Sequence, residues 1–277
     1  MRALILAAGE GTRMRPLTLE QPKPLLPVAG VPLLYYSLAL LRRHGIDAVA
    51  INLHHLPDAI PRALGPGSWW GTPPPPWAGD ETGAEVAGRL GMPLLYSWEP
   101  QILGTAGAAR RVRSWLGERF VVMYGDVLTA LDLTALAARH EATGAAATLA
   151  LYRVPDPEKR GIVSLDKGGR VIGFVEKPAP ELGLGNLANA GIYVVESTVL
   201  DLVPEDTPYD FGLHLFPDLL ARGTPLYGFP TSDYLLDIGS FENYDLAQGD
   251  VAAGLLGDLP REAAVLMGRR ARAHAGR

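Results

Sequence analysis

Cysteine is absent from all 277 residues. That excludes disulfides, thiolate zinc sites and cysteine nucleophiles, and it fits a cytoplasmic protein. Long apolar runs are missing too. The run from Ala3 to Ala8 is too short for a signal peptide or a membrane span, and no other stretch suits a bilayer, so no membrane partner is expected. The chain lacks any excess of positive charge: its net charge of −5 argues against nonspecific nucleic-acid binding. There are no internal repeats, and no hexapeptide pattern follows residue 250, so a β-helix domain is not expected. Two common phosphate motifs fail as well. A dinucleotide fingerprint needs a third glycine where this chain has Met14, and a P-loop needs a Gly-Lys-Ser/Thr ending that does not occur. No Ser-His-Asp arrangement can be argued. His54-His55 has no third donor at metal-ligand spacing and reads as a loop pair.

What is present starts at residues 6–28, L-A-A-G-E-G-T-R-M-R-P-L-T-L-E-Q-P-K-P-L-L-P-V. An apolar strand ends in a glycine-rich turn, followed by Arg13 and Arg15 and then by a loop carrying Lys23. Glycines let backbone N–H groups close on a phosphate, because no Cβ intervenes. Pro16, Pro22, Pro24 and Pro27 restrict the loop's freedom around those cations. The combination points to a nucleoside triphosphate held by its phosphates. A plain Gly- and Pro-rich strand-to-helix turn is the alternative.

With 48% hydrophobic residues the chain can bury a substantial core. Apolar runs at 3–8, 46–51, 93–98 and 119–124 read as buried strands. Helical patterns fall at 32–43, 104–116 and 132–142, the last with Asp132 as N-cap. This alternation predicts an α/β fold: a mixed, mostly parallel central sheet with helices on both faces, and ligands beyond the carboxyl ends of the strands. Residues 145–153, 162–166, 170–176 and 188–195 read as closely spaced strands of a small α+β insert, with a hairpin turn at Lys167-Gly168-Gly169. Residues 211–221, 240–256 and 260–275 look helical. The expected organisation is one domain over 1–250, with a nucleotide half up to about residue 130 and a half for the second substrate beyond it, which the resemblance named below makes a sugar phosphate. A C-terminal helical extension, 251–277, follows. Residues 65–83, rich in Gly, Pro and Trp, read as an exposed insertion with its aromatics folded back, or as a partner surface.

Several polar residues stand where chemistry would need them. Asp126 ends the strand V-V-M-Y-G-D and Asp237 ends the run Y-L-L-D. Two such carboxylates suit one Mg²⁺ near phosphates, or each simply caps a turn. Glu176 and Lys177 end another strand: the first suits sugar hydroxyls and the second a phosphate, or they form a solvated ion pair. Gly191, in the β-run after Asn189, marks a close ligand approach or a bulge.

These segments together resemble the sugar-1-phosphate nucleotidyltransferases, also called NDP-sugar pyrophosphorylases. The likeness rests on G-E-G-T-R-M-R-P-L-T-L-E-Q-P-K-P, L-G-T-A-G-A (103–108), Y-G-D (124–126), E-K-P (176–178), N-A-G-I-Y (189–193) and L-D-I-G-S (236–240), in the family's order. It implies a Rossmann-like fold and transfer of a nucleotidyl group from an NTP to a sugar 1-phosphate, with release of pyrophosphate. By that resemblance Ala7, Ala8, Gly9, Gly11, Thr12, Glu99, Gly104 and Thr105 bind the nucleotide. Arg13, Lys23, Asp126 and Asp237 carry the catalysis, the two aspartates as Mg²⁺ ligands. Gly125, Glu176, Lys177, Asn189 and Gly191 bind the sugar phosphate. One departure is Leu236, where many relatives have an aromatic residue. Glu99 aligns with the residue that meets the base edge, and a carboxylate suits the two adjacent donors of guanine. The expected pair is therefore GTP and mannose 1-phosphate. The alternatives are a glucose-1-phosphate uridylyl- or thymidylyltransferase and a non-catalytic nucleotide-sugar-sensing homologue. A homo-oligomer is compatible with the C-terminal helix.

Overall fold

The computed structural model describes residues 1–65, 67–70 and 90–274, with side chains up to residue 268. The chain forms two compact units. The first takes Met1–Ile102, Met123–Ala130 and the residues from Tyr234 onward; the second takes Leu103–Val122 and Leu131–Asp233.

The first unit has a parallel sheet. Arg2–Leu6 pairs with Ala48–Leu53, which pairs with Leu94–Trp98, and the short strand Ser68–Trp69 joins that last strand, all in parallel. Every residue of Ala48–Leu53 is buried, as expected of a parallel strand covered on both faces. The helix Leu33–Arg43 inserts Tyr35 and Tyr36 into the core, and their hydroxyls donate to Ala63 O (3.0 Å) and Val28 O (2.8 Å). Burying a phenol stabilises only if its O–H finds such a partner. The C-terminal helix Leu259–His274 packs on Leu33–Arg43, and Arg43 pairs with Glu262 at 3.0 Å. Ser240 caps the helix Phe241–Ala252 by accepting from Asn243 N.

Two small pairings in this unit have no counterpart in the sequence reading. Pro27–Val28 pairs with Val31–Pro32 across Ala29-Gly30, both at positive φ. Val127–Thr129 pairs with Leu235–Asp237. Pieces of two or three residues are too short to show a hydrophobic period.

The second unit is mostly antiparallel. Ala147–Arg153 pairs with Leu187–Glu196, and Gly161–Leu165 pairs with Val171–Glu176 and touches the long strand at Ile162. The expected hairpin turn is present, with Asp166 accepting from Gly168 N and Arg170 N. A strand the sequence reading missed, Leu226–Pro230, runs parallel to Ala147–Arg153; its glycine and proline masked the pattern. The helix expected over 104–116 is instead two, Gly104–Arg111 and Arg113–Leu116. The buried Val112 leaves helical geometry between them. Helix Leu133–Thr143 has Asp132 as its N-cap, accepting from Ala135 N at 2.9 Å. The segment expected as helix over 211–221 opens with one wide turn, in which Leu215 N–H reaches back five residues to Asp210 O, and continues as Phe216–Ala221. The core here is aromatic: Tyr193 meets Phe216 edge-on at 5.0 Å and Phe211 at 5.4 Å.

Of the 65–83 insertion, only residue 65 and residues 67–70 are described, so most of what was expected of it lies outside the described residues. Trp69 stacks obliquely on Tyr96 at 5.3 Å. Among the described residues no helix is long and apolar enough to cross a membrane.

Candidate active site

The glycine-rich loop leaves the first strand at Leu6. Ala7 and Ala8 are buried, while Gly9, Thr12 and Arg13 are exposed. Gly11 sits at φ +62, and a Cβ there would lie 2.9 Å from the Thr18 methyl. Thr18 also donates its hydroxyl to Gly11 O at 2.9 Å, so the loop is pinned at its bend. Met14, the residue that breaks the dinucleotide fingerprint, is fully buried and anchors the loop in the core. Its N–H donates to Gly11 O at 2.8 Å.

Gly125 N–H donates to Leu6 O at 2.9 Å, and a Cβ on Gly125 would lie 2.9 Å from that same oxygen. Only glycine permits this approach, which delivers Asp126 to the end of the first strand. Asp237 arrives through the short antiparallel pairing: Asp237 lies opposite Val127, and Ile238 N–H donates to Asp126 O at 2.9 Å. Lys23 lies between the two carboxylates, with Nζ 2.6 Å from Asp126 Oδ2 and 4.0 Å from Asp237 Oδ1. Its side chain is 9% exposed, against 31% for Asp126 and 20% for Asp237. A buried ammonium needs such partners to offset lost hydration. Arg13 completes the group. A Cβ on Gly239 would be 2.9 Å from Arg13 Nη2 and 3.0 Å from both Asp237 oxygens, so glycine lets all three crowd one point.

Glu99 directly follows the strand Leu94–Trp98. It is 0% exposed, and its Oε1 accepts from Asn52 Nδ2 at 2.9 Å. Asn52 Oδ1 in turn accepts from Ala7 N–H at 2.7 Å. The histidine pair also has work. His54 Nδ1 lies 2.7 Å from Glu99 O and His55 Nε2 lies 2.7 Å from Thr18 O. A carbonyl only accepts, so each of those nitrogens bears the proton. Sequence reasoning missed Asn52, Thr18 and both histidine anchors. The one readable signal was a lone amide inside the apolar strand A-V-A-I-N-L.

The remaining candidates belong to the second unit. Gly104, at φ +71, faces the Tyr209 backbone, which an added Cβ would meet at 2.7 Å. Thr105 donates both its N–H and its hydroxyl to Asp210 Oδ1 at 3.1 Å and accepts from Phe211 N. Glu176 is half-buried at the end of Val171–Glu176. Burial pushes its carboxyl up, the Lys177 charge opposes this, and Asp210 adds to it. Lys177 is exposed and holds a left-handed backbone, φ +48, which costs a non-glycine residue energy. Asn189 is engaged locally: Oδ1 accepts from Gly191 N and Nδ2 donates to Tyr193 OH. Pairing with Ala147–Arg153 shifts register between Asn189 and Tyr193, and Gly191 has φ +71. A β-bulge accounts for that glycine.

A divalent cation suits the first unit's donor set. Two carboxylates within reach of one ammonium are hard oxygen donors, and Mg²⁺ is held by one or two carboxylates plus substrate phosphates. Among the described residues no cluster of three His, Cys, Asp or Glu could hold a metal by itself.

With this geometry in place, comparison with known proteins defines the class. The chain belongs to the nucleotidyl transferase family, whose model matches residues 2–253. It is 35% identical to a UTP–glucose-1-phosphate uridylyltransferase of Synechocystis sp., over 88% of this chain and 61% of that protein. It is 34% identical to a mannose-1-phosphate guanylyltransferase of Mycobacterium tuberculosis, over 91% of this chain and 65% of that one. The chain thus spans less than two-thirds of these relatives' length. A Bacillus anthracis crystal structure described as a glucose-1-phosphate thymidylyltransferase matches with a TM-score of 0.73 at 25% identity, covering 90% of this chain and 94% of the other. The mostly parallel α/β architecture read from the sequence agrees with that fold.

Proposed function

We propose that the protein joins an NTP to a sugar 1-phosphate, releasing pyrophosphate and leaving an NDP-sugar. The observation that supports this best is Lys23 set between Asp126 and Asp237 beside the glycine-rich loop. Two anions must meet in this reaction, so charge neutralisation and in-line placement are the main tasks. A sugar-phosphate oxygen attacks the α-phosphorus. The bond from that phosphorus to the bridging oxygen of the β-phosphate breaks, and pyrophosphate leaves with the electron pair. The attacking phosphate is already ionised near neutral pH, so no general base is required. Backbone N–H groups of Gly9, Gly11 and Thr12 would hold the phosphates, Arg13 the departing pyrophosphate, and Lys23 the α-phosphate and the incoming phosphate. Asp126 and Asp237 would hold Mg²⁺, which when bound adds Lewis-acid polarisation of the α-phosphate. Glu176 and Lys177 would bind the sugar and its phosphate, alongside Asn189 and Gly191.

GTP and mannose 1-phosphate are the favoured pair, supported by the guanylyltransferases of bacteria and plants among the relatives. UTP with glucose 1-phosphate is the second reading, favoured by the 35% identical relative. A matrix of NTPs against sugar 1-phosphates, read by pyrophosphate release with Mg²⁺, tests both. Turnover of UTP or dTTP at least about tenfold better than GTP overturns the guanylyl assignment. No turnover of any pair leaves only a non-catalytic, nucleotide-sugar-sensing role.

A further inference from the structure

Asn52 is a buried amide in an otherwise apolar strand, and its two ends are bound by groups that leave no choice of orientation. Ala7 N–H can only donate, so Asn52 Oδ1 faces it at 2.7 Å. Asn52 Nδ2 therefore faces Glu99 and donates to Oε1 at 2.9 Å. Glu99 is itself held at both backbone ends: its N–H donates to Leu53 O at 2.8 Å, and its carbonyl accepts from His54 Nδ1 at 2.7 Å. The three linked residues stand at the carboxyl ends of three adjacent parallel strands, Arg2–Leu6, Ala48–Leu53 and Leu94–Trp98. Ala7 is the residue at which the chain leaves the first strand and enters the glycine-rich loop.

From this geometry we infer that Glu99 and Asn52 are positioning residues: a buried relay that sets the Ala7 peptide, and through it the loop's phosphate-binding N–H groups, without reading the base. The relay needs an acceptor facing Ala7 and a donor facing Glu99, and the Asn52 amide supplies them on two separate atoms, Oδ1 and Nδ2. Aspartate there would accept from Ala7 but set a second carboxylate against Glu99. Leucine would leave the Ala7 N–H and the Glu99 oxygen without their partner. Glutamine at residue 99 keeps an acceptor for Asn52, though a neutral and weaker one. The inference deepens the function proposed above and rests on it for its kinetic readout alone.

Four variants test it: Asn52→Leu, Asn52→Asp, Glu99→Gln and the double Asn52→Asp/Glu99→Gln, in which the amide and the carboxylate trade places. The first readout needs no ligand. Hydrogen exchange at the Ala7 amide is expected to accelerate at least about tenfold in Asn52→Leu relative to amides within Arg2–Leu6, and to stay slow in the double variant. Unchanged exchange in Asn52→Leu overturns the relay. The second readout is kcat/KM for GTP, UTP and dTTP. Each single variant is expected to lower all three by a common factor, largest for Asn52→Asp, and the double variant is expected to recover most of that loss. A change of base preference in Glu99→Gln, or a double variant no better than Asn52→Asp, overturns the proposal, the former by making Glu99 a base reader. If the wild type turns over no nucleotide while the exchange results hold, the proposed reaction fails and the relay stands.

Discussion

The two units handle buried charge in opposite ways. In the first, Lys23 is met by opposite charge on two sides, Asp126 and Asp237, with Arg13 close by. In the second, the buried polar group is a histidine. His140 is 1% exposed and lies 3.0 Å from both Thr148 Oγ1 and Glu196 Oε1. Burial lowers its pKa, and the hydrogen bond to Glu196 only partly offsets this. Burial alone would raise Glu196, but hydrogen bonds from His140 and from Arg119, the latter at 2.5 Å, win and hold its carboxyl low. Glu176, half-buried beside Asp210, is pushed up instead. Compensated charge thus lies where phosphates would be bound, whereas the shifted histidine His140 and the shifted carboxyl Glu176 lie in the second unit.

The largest break in that contrast comes from Lys23→Met. Turnover is expected to fall by about 10³, the range for losing a preorganised charge at a reacting phosphate. Stability is expected to drop by roughly 2–3 kcal/mol, less than the cost of breaking a fully buried pair, because Asp126 is partly exposed. Pyrophosphate release and urea denaturation measure the two. Lys23→Arg is expected not to restore turnover, since a planar fork cannot occupy a point-charge site between two carboxylates. Next in size is Asp126→Asn, expected to cut turnover about a hundredfold and to raise the Mg²⁺ concentration needed for half-maximal rate.

Gly11→Ala sharpens the comparison at the loop. It adds a Cβ 2.9 Å from the Thr18 methyl at φ +62, so a loss of about 1–2 kcal/mol is expected together with weaker NTP binding, read by calorimetry. Gly191→Ala, at φ +71 in the second unit's bulge, is expected to cost only about 1 kcal/mol and to leave NTP binding intact.

The pH responses are smaller and opposite in sign. His140 has a folded pKa below its unfolded value, so its contribution is fully present above about pH 6.5 and is lost as pH falls. His140→Gln is expected to flatten the decline in Tm between neutral and mildly acidic pH. Glu176 has a folded pKa above its unfolded value, so the folded state keeps a proton that the unfolded chain has released. Its stabilising share is present at low pH and is lost as pH rises through the folded value. Glu176→Gln is therefore expected to raise Tm at neutral pH, with no gain in strong acid, while weakening sugar-phosphate binding. A Tm gain that is equal at all pH values would mean that Glu176 titrates alike in the folded and unfolded chain, with no upward shift on folding.

The sequence by itself determined what short-range chemistry controls. Apolar runs became strands within about two residues of where they were read, Asp132 became a cap because its carboxylate reaches the third N–H on, and Gly11 turned the loop because only glycine tolerates that bend. The residues of the cationic loop and both aspartates were also legible, since their types stand out at strand ends. Tertiary structure alone decided what they touch. Lys23 meets Asp126 across 103 residues of chain, a two-strand pairing too short to read places Asp237 beside it, and Asn52 turns Glu99 inward from 47 residues away. The reason is physical: backbone preference is set by near neighbours, but the partner of a buried polar group is chosen by whichever distant group folding brings within hydrogen-bond reach.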